Sequence, residues 1–288
     1  MNTSGSFVKL IECPRDAMQG WKEFIPTEKK IRYINSLLKV GFDTIDFGSF
    51  VSPKAIPQMA DTKKVAGSLE LGNGNTKLLA IIANLRGAKE AAFFDEITYL
   101  GFPFSVSETF QQRNTNSSIE ESLVRVEEIQ KLCLKKKKQL VVYISMGFGN
   151  PYGDSYSEEI VFKWINKIVD AGIKIISLAD TVGVATPAQV YTMTNYLVKA
   201  LPFIEIGVHL HSTPGNWKEK LEAAIKAGCK RFDGALKGIG GCPMAKDELV
   251  GNMNMEWMIS YFEENNFSTD IKKEALAGSL QIADEIFV

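Results

Sequence analysis

The chain has 288 residues, a formal net charge of -1 and 45% hydrophobic content. Near-neutrality gives no general attraction to nucleic acid or to an anionic membrane, and no run approaches the roughly 18 apolar residues of a membrane span. The four cysteines, Cys13, Cys133, Cys229 and Cys242, show neither Cys-x-x-Cys pairing nor dense spacing, so neither a disulfide framework nor a structural zinc site is indicated and a reducing compartment is the simplest home.

The segment Met1 to Phe7 has no basic stretch leading into an apolar one and is not rich in arginine. It reads as neither signal nor transit peptide, and a cytoplasmic protein is expected. Phe7 to Cys13 is a short apolar run that breaks at Pro14, a strand that delivers Arg15 and Asp16 at its end. Pro26 begins a periodic segment through Val40, with Ile31, Ile34, Leu37 and Leu38 on one face and Gly41 as the stop. Thr44 to Phe47 is the next strand, and the unit then recurs. Helix 60–71 precedes strand 77–83, which ends at Asn84; helix 87–94 precedes strand 97–104; a long helix opened by Ser118 runs to the lysine cluster Lys135 to Lys138. That cluster resembles a nucleic-acid patch in isolation, yet cations at a helix end meet the negative end of the helix dipole, which is the reading adopted.

Strand 140–145, helix 158–170 and strand 173–178 follow, then a helix to Leu201 that carries a Thr186 cap and Pro187 at its first position. Strand 205–212, helix 217–227, strand 231–236 and helix 255–264 complete eight strand-helix units, with 271–286 left as an extra carboxyl-terminal helix. Three stretches, Val40 to Asp46, Ala171 to Asp180 and Ala227 to Asp233, each run helix end, Gly, strand, Asp. Eight alternating units with no Pro- or Ser-rich linker predict a single (β/α)8 TIM barrel, one catalytic domain over 1–288, with chemistry at the carboxyl ends of the strands.

His209 and His211 are the only histidines of the chain. Two apart on a strand, they share a face, and both imidazoles can reach one point, which suits a metal better than a pair of inert core histidines. Asp16 can add a carboxylate oxygen. A nitrogen and oxygen shell without thiolate fits Mg, Mn, Fe or Zn as a Lewis acid, six-coordinate Mg or Mn best. Other polar groups at strand ends are Arg15, Asp46, Ser49, Asn84, Ser145, Asp180 and Asp233. Directly after the last strand, Gly238 to Pro243 is a glycine-rich loop that presents Cys242 at the same face, whereas Cys13, Cys133 and Cys229 read as packing.

Several motifs together resemble the 3-hydroxy-3-methylglutaryl-CoA lyase family, within the barrel metallolyases of the pyruvate carboxyltransferase-like kind. They are Pro14-Arg15-Asp16 with Gln19, Ser49 to Lys54 with Pro57 to Met59, Asn84-Leu85, Asn116 to Ser122, Ser177 to Gly183, Val208 to His211, Gly240 to Pro243 and Gly251-Asn252. The resemblance implies a divalent metal, Mg or Mn, held by Asp16, His209, His211 and Asn252. It further implies Arg15 beside the thioester carbonyl, Asp180 near the substrate, Cys242 as a catalytic group on a closing loop, and Asp46 as a carboxylate acting near the site. Gln19, Ser49, Asn84 and Asn114 are the expected substrate contacts, Asn114 toward the CoA moiety. An acyl-CoA substrate and a homodimer are implied, and neither nucleic acid nor membrane is an expected partner.

The chain departs from the family pattern at Asp46, where glutamate is usual, at Ser212 to Gly215 after the second histidine, and at Asn150, which replaces a second cysteine. The implied reaction is cleavage of 3-hydroxy-3-methylglutaryl-CoA to acetoacetate and acetyl-CoA. Asp16, His209 or Asp180 would take the hydroxyl proton, and Cys242 or His209 would protonate the enolate. Alternatives are a lyase for a related 3-hydroxyacyl-CoA, a Claisen-condensing synthase of the same barrel group, and a non-enzymatic binding subunit.

Overall fold

The computed structural model describes residues 6–72, 74–241 and 250–288. Ten strands are found among the described residues: β1 (Lys9–Glu12), β2 (Thr44–Ser49), β3 (Lys77–Ile81), β4 (Ile97–Ser105), β5 (Gln139–Ser145), β6 (Ile175–Ala179), β7 (Glu205–His209), β8 (His211–Ser212), β9 (Arg231–Gly234) and β10 (Gly251–Asn252). Eight of them close into a parallel barrel in the order β1-β2-β3-β4-β5-β6-β7-β9. Barrel strands are covered on both faces, which is why they read as continuous apolar runs; β2 is buried at every position.

Eleven α-helices are described: α1 (Pro14–Gln19), α2 (Thr27–Leu37), α3 (Thr62–Ala66), α4 (Leu85–Ala91), α5 (Glu108–Thr115), α6 (Ile119–Lys136), α7 (Glu158–Asp170), α8 (Pro187–Ala200), α9 (Trp217–Lys226), α10 (Met255–Glu264) and α11 (Lys273–Ile286). Local chemistry sets their ends. Ser118 and Glu121 form a reciprocal capping box at the start of α6, and Thr186 and Gln189 do the same for α8 beside Pro187. Gly41, Gly172 and Gly228, the glycines of the repeated motif, have φ of 99°, 91° and 91°, the left-handed geometry that lets a helix turn into the next strand. Lys135 and Lys136 lie in the last turn of α6, as expected, whereas Lys138 is buried and its Nζ donates to the Phe94 and Asp95 carbonyls in the loop after α4 at 2.8 and 3.0 Å.

The barrel and the extra carboxyl-terminal helix agree with the sequence-based expectation, and four local features differ from it. Arg15 and Asp16 follow the first strand as expected, but they lie in a short helix, α1, that the sequence did not predict, with Pro14 at its first position, where a proline's missing N–H costs nothing. The polar segment Glu108–Thr115 is a further helix, α5. The expected helix over 60–71 is reduced to a 3-10 turn at Pro57–Met59 and the short α3. The histidine strand breaks after His209: β8 leaves the barrel wall and pairs antiparallel with β10, setting Asn252 opposite His211.

α11 lies against α2. Phe287 packs edge-on to Trp21 and Tyr33 at ring-centroid distances of 5.2 and 6.1 Å, and Arg32 pairs with Glu285. This helix covers the outside of the barrel beside α2, and its carboxyl end reaches Lys237, just after β9, through Asp284.

Candidate active site

Four side chains meet at the carboxyl ends of the barrel strands. α1 supplies Asp16, β7 His209, β8 His211 and β10 Asn252. Ligand-capable atoms of Asp16, His209 and His211 all lie within 4.8 Å of one another. The two imidazole centroids are 5.4 Å apart. Asn252 joins them: its Nδ2 donates to Asp16 Oδ2 at 2.8 Å and to the Ile239 carbonyl at 2.9 Å.

Each imidazole is oriented from behind. His209 Nδ1 lies 3.4 Å from Asp233 Oδ2, and His211 Nδ1 lies 3.2 Å from the Thr181 carbonyl. With Nδ1 donating, both rings turn an unprotonated Nε2 forward, the arrangement found behind metal-ligating histidines. His211 Nε2 and Asn252 Oδ1 are buried and have no hydrogen-bond partner among the described residues. Two buried acceptors left open beside an aspartate and a second imidazole are what a divalent cation would satisfy, so the residues present fit such an ion.

Electrostatics point the same way for Asp16 and His211, whereas His209 is raised, burial being outweighed by the Asp233 carboxylate behind it. Burial opposes the charge on Asp16, but Arg15 and the two imidazoles prevail and hold its carboxyl down to about 2. Burial, with His209 beside it, pushes His211 down to about 4. The site therefore offers an ionised carboxylate and a neutral His211 near pH 7. Cys13, His209 and Asp233 form a second group of similar spacing. Burial and Asp233 raise the Cys13 thiol well above its ordinary range, so it stays protonated and is the poorer ligand.

Arg15 is held on three sides. Nη1 donates to Asp16 Oδ1 and Gln19 Oε1, both at 2.8 Å; Nε donates to Asp46 Oδ2 at 3.1 Å, and Nη2 reaches the same carboxylate. The helical spacing of residues 15, 16 and 19 makes this possible, since neighbours three and four apart share a face. Of the five guanidinium N–H groups, one on Nη2 remains for a ligand. Burial raises the Asp46 carboxyl to about 6 although Arg15 pulls it down. Asp46 thus lies close to neutral pH, unlike Asp16 beside it.

The remaining candidates are placed as follows. Asp180 is buried, with Oδ1 accepting from the Ala185 amide at 3.0 Å and Oδ2 paired to Lys220 Nζ at 2.8 Å. Both oxygens are committed, so Asp180 is a framework carboxylate in this arrangement. Ser49 is buried and its Oγ accepts from the Val51 amide; Asn84 Oδ1 caps α4 by accepting from Gly87 N at 3.0 Å; Asn114 is exposed on α5. Cys242 lies outside the described residues, as does the loop through 249. Asn150 folds its own loop, its Oδ1 accepting from the Tyr152 and Asp154 amides.

Sequence reasoning missed one functional neighbour, Lys220, and the place of another, Asp233. Lys220 looks like a surface lysine on the amphipathic α9, yet it is buried and donates to Asp180, to the Gly183 carbonyl and to the His211 carbonyl. Asp233 stands out as a strand-end acid, but its place behind His209 depends on the pairing of β7 with β9, which sets residues 209 and 233 side by side.

Comparison with known proteins identifies the family and supports the fold. The HMGL-like family model matches residues 8–282. The rat protein called cytoplasmic 3-hydroxy-3-methylglutaryl-CoA lyase is 35% identical over 277 residues, 94% of this chain and 79% of the relative. A crystal structure of the Bacillus subtilis HMG-CoA lyase superposes with a TM-score of 0.91 at 32% identity, covering 97% of this chain and 93% of that one. An Acinetobacter baumannii HMG-CoA lyase, solved with coenzyme A and 3-methylmalate, superposes with a TM-score of 0.90 at 32% identity, covering 97% and 91%. With the family model spanning nearly the whole barrel and the polar cluster seated at its carboxyl-terminal face, the chain belongs to the HMGL-like family.

Proposed function

We propose that this chain is a divalent-metal-dependent carbon-carbon lyase that cleaves 3-hydroxy-3-methylglutaryl-CoA to acetoacetate and acetyl-CoA. The observation that carries this is the convergence of Asp16, His209 and His211 with two open buried acceptors, His211 Nε2 and Asn252 Oδ1, in a chain of the HMGL-like family. Magnesium or manganese suits the oxygen and imidazole donors. Asp16, His209, His211 and Asn252 would hold the ion, which supplies Lewis-acid polarisation of the substrate's hydroxyl and carboxylate oxygens.

The chain's own groups divide the rest. The hydroxyl proton at C3 leaves, the C2–C3 bond breaks with its electron pair moving to C2, and C3 becomes the ketone of acetoacetate. The thioester enolate then takes a proton at C2 to give acetyl-CoA. Arg15 keeps one N–H for the enolate oxygen, an electrostatic role worth a few kcal/mol in a closed site, on the order of an oxyanion-hole donor. Asp46, raised to about 6 and held by Arg15 at both oxygens, is proposed as the carboxylate that accepts a proton near neutral pH, its bond to Arg15 Nε at Oδ1 being the longest of the set at 3.3 Å. Asp16 is too acidic for that task, and both nitrogens of His209 are occupied once Nε2 serves the ion. Cys242 is proposed as the group that protonates the enolate. Asp180 acts through position, and Gln19, Ser49, Asn84 and Asn114 are proposed as substrate contacts, Asn114 toward the CoA.

A homodimer and a cytoplasmic setting complete the proposal. The setting is supported by the name of the rat relative, a cytoplasmic 3-hydroxy-3-methylglutaryl-CoA lyase. The test is conversion of 3-hydroxy-3-methylglutaryl-CoA with Mg2+ by the purified chain. Acetoacetate and acetyl-CoA in equal amounts are expected; release of free CoA alone, or no product, rejects the reaction.

A further inference from the structure

Beneath the metal-fitting cluster, the barrel interior holds an arginine that none of these roles uses. Arg231 and Asp233 stand two apart on β9 and share a face. That face is the interior: the Arg231 guanidinium lies 5.9 Å from the ring of Tyr99, which belongs to β4 on the far side of the barrel. Arg231 is 0% exposed. The neighbouring strand leaves room for it, because Gly207 is its register partner and a Cβ there would come within 2.9 Å of Arg231 Cδ.

Charges alternate up this column. Lys9 pairs with Glu205 at the amino-terminal face, Glu205 Oε1 lies 3.3 Å from Arg231 Nη1, Asp233 follows two residues above, and His209 Nδ1 lies 3.4 Å from Asp233 Oδ2. Arg231 and Asp233 do not touch. Arg231 Nε and Nη2, Asp233 Oδ1, Tyr143 OH and Ser177 Oγ are buried with no hydrogen-bond partner among the described residues. Tyr143, Ser177, Gly207 and Arg231 are successive register partners on β5, β6, β7 and β9, so they line one level of the interior. Donors and acceptors gathered at one level, none satisfied by protein, are the setting of enclosed water.

We infer that Arg231 is a positioning residue for the metal centre, which through enclosed water holds the Asp233 carboxylate against His209 Nδ1 and so keeps His209 Nε2 turned to the ion. The inference rests on the metal site proposed above. A neutral imidazole has one donor and one acceptor, so a carboxylate fixed at Nδ1 selects the tautomer whose Nε2 can bind metal. Asp233 is buried with Oδ1 open, and Arg231, two residues away on the same face of β9, is buried with Nε and Nη2 open, so unpartnered donors and an unpartnered acceptor share the barrel interior.

The experiment is calorimetric titration of Mn2+ into the full chain after EDTA treatment, with folding followed by circular dichroism. Arg231→Gln is expected to weaken Mn2+ binding about 10- to 100-fold, the range seen when groups behind a metal ligand are altered. Arg231→Lys, which keeps the charge, recovers most of that loss. Asp233→Asn weakens binding similarly, and adding Arg231→Gln to it causes no further loss, because the group through which Arg231 acts is gone. Should Arg231→Gln alone fail to fold, the double change Glu205→Gln with Arg231→Gln removes the ion pair as a unit, which buried pairs tolerate, and shows the same loss. Wild-type affinity in the folded variant, or additive losses with Asp233→Asn, overturns the inference. A wild-type chain that takes up no Mn2+ overturns it together with the metal site, whereas equal uptake by wild type and variant overturns the role of Arg231 alone.

Discussion

Lys220 offers a sharp test of how the site is held. Its side chain is 1% exposed, and Nζ lies 2.8 Å from Asp180 Oδ2, 2.8 Å from the His211 carbonyl and 3.2 Å from the Gly183 carbonyl. Each ammonium proton therefore has a partner, and the three partners tie the end of β6 to the strand that carries His211. Lys220→Met keeps the length of the side chain and removes the charge. It leaves Asp180 buried with only the Ala185 amide at 3.0 Å and opens two carbonyls. Breaking one side of a buried pair costs about 3 to 5 kcal/mol, most of it the price of an uncompensated charge. Urea unfolding of the metal-free chain should show a loss of this size. Adding Asp180→Asn should return about 2 kcal/mol, since the stranded charge is gone. A loss below about 1 kcal/mol in Lys220→Met, the scale of an exposed pair, would refute the arrangement.

Other outcomes follow from the same geometry. His211→Ala removes a ligand with an open Nε2 and is expected to abolish metal retention; a purified variant that still carries one ion per chain would contradict the ligand set. Cys242→Ala should lower turnover about 100-fold while Mn2+ binding is spared, and unchanged turnover removes Cys242 from the mechanism. The metal-free chain should lose stability on acidification through His211, whose folded pKa of about 4 lies below the ordinary 6.5. A depressed folded pKa means that the unfolded state binds the proton first. The contribution is therefore present above pH 6.5 and lost as pH falls toward about 4, a change of about 3 kcal/mol. The difference in melting temperature between wild type and His211→Gln across that range measures it, and a difference that does not vary with pH would show that His211 does not titrate as a buried neutral imidazole.

The barrel was legible because its signals are local. Apolar strands, the Gly-Asp repeat and the Thr186-Pro187 and Ser118 caps each state their own element, and eight repeats leave little choice of closure. α1 was hidden because Pro14 reads equally as a strand break and as a first helical residue. α5 was hidden because Phe110 and Gln111 are its only buried residues, too few for a periodic apolar face. In the site, Asp16, His209 and His211 announce themselves by residue type and spacing. Lys220 does not, because an amphipathic helix carries lysines on its solvent face and nothing local marks this one as buried. Asp233 and Arg231 depend on register: only the pairing of β7 with β9 brings Asp233 beside His209 and Gly207 beside Arg231. Asp180 shows the converse, an acid at a strand end whose oxygens are both taken by framework groups.

Turnover measured against metal occupancy tests the central claim most directly. Mn2+ titrated into the EDTA-treated chain in the presence of 3-hydroxy-3-methylglutaryl-CoA should raise acetoacetate and acetyl-CoA formation in proportion to bound ion, with both reaching a plateau at one ion per chain. Product formation that is the same with and without bound ion, or a chain that fills with one ion and leaves the thioester intact, would contradict it.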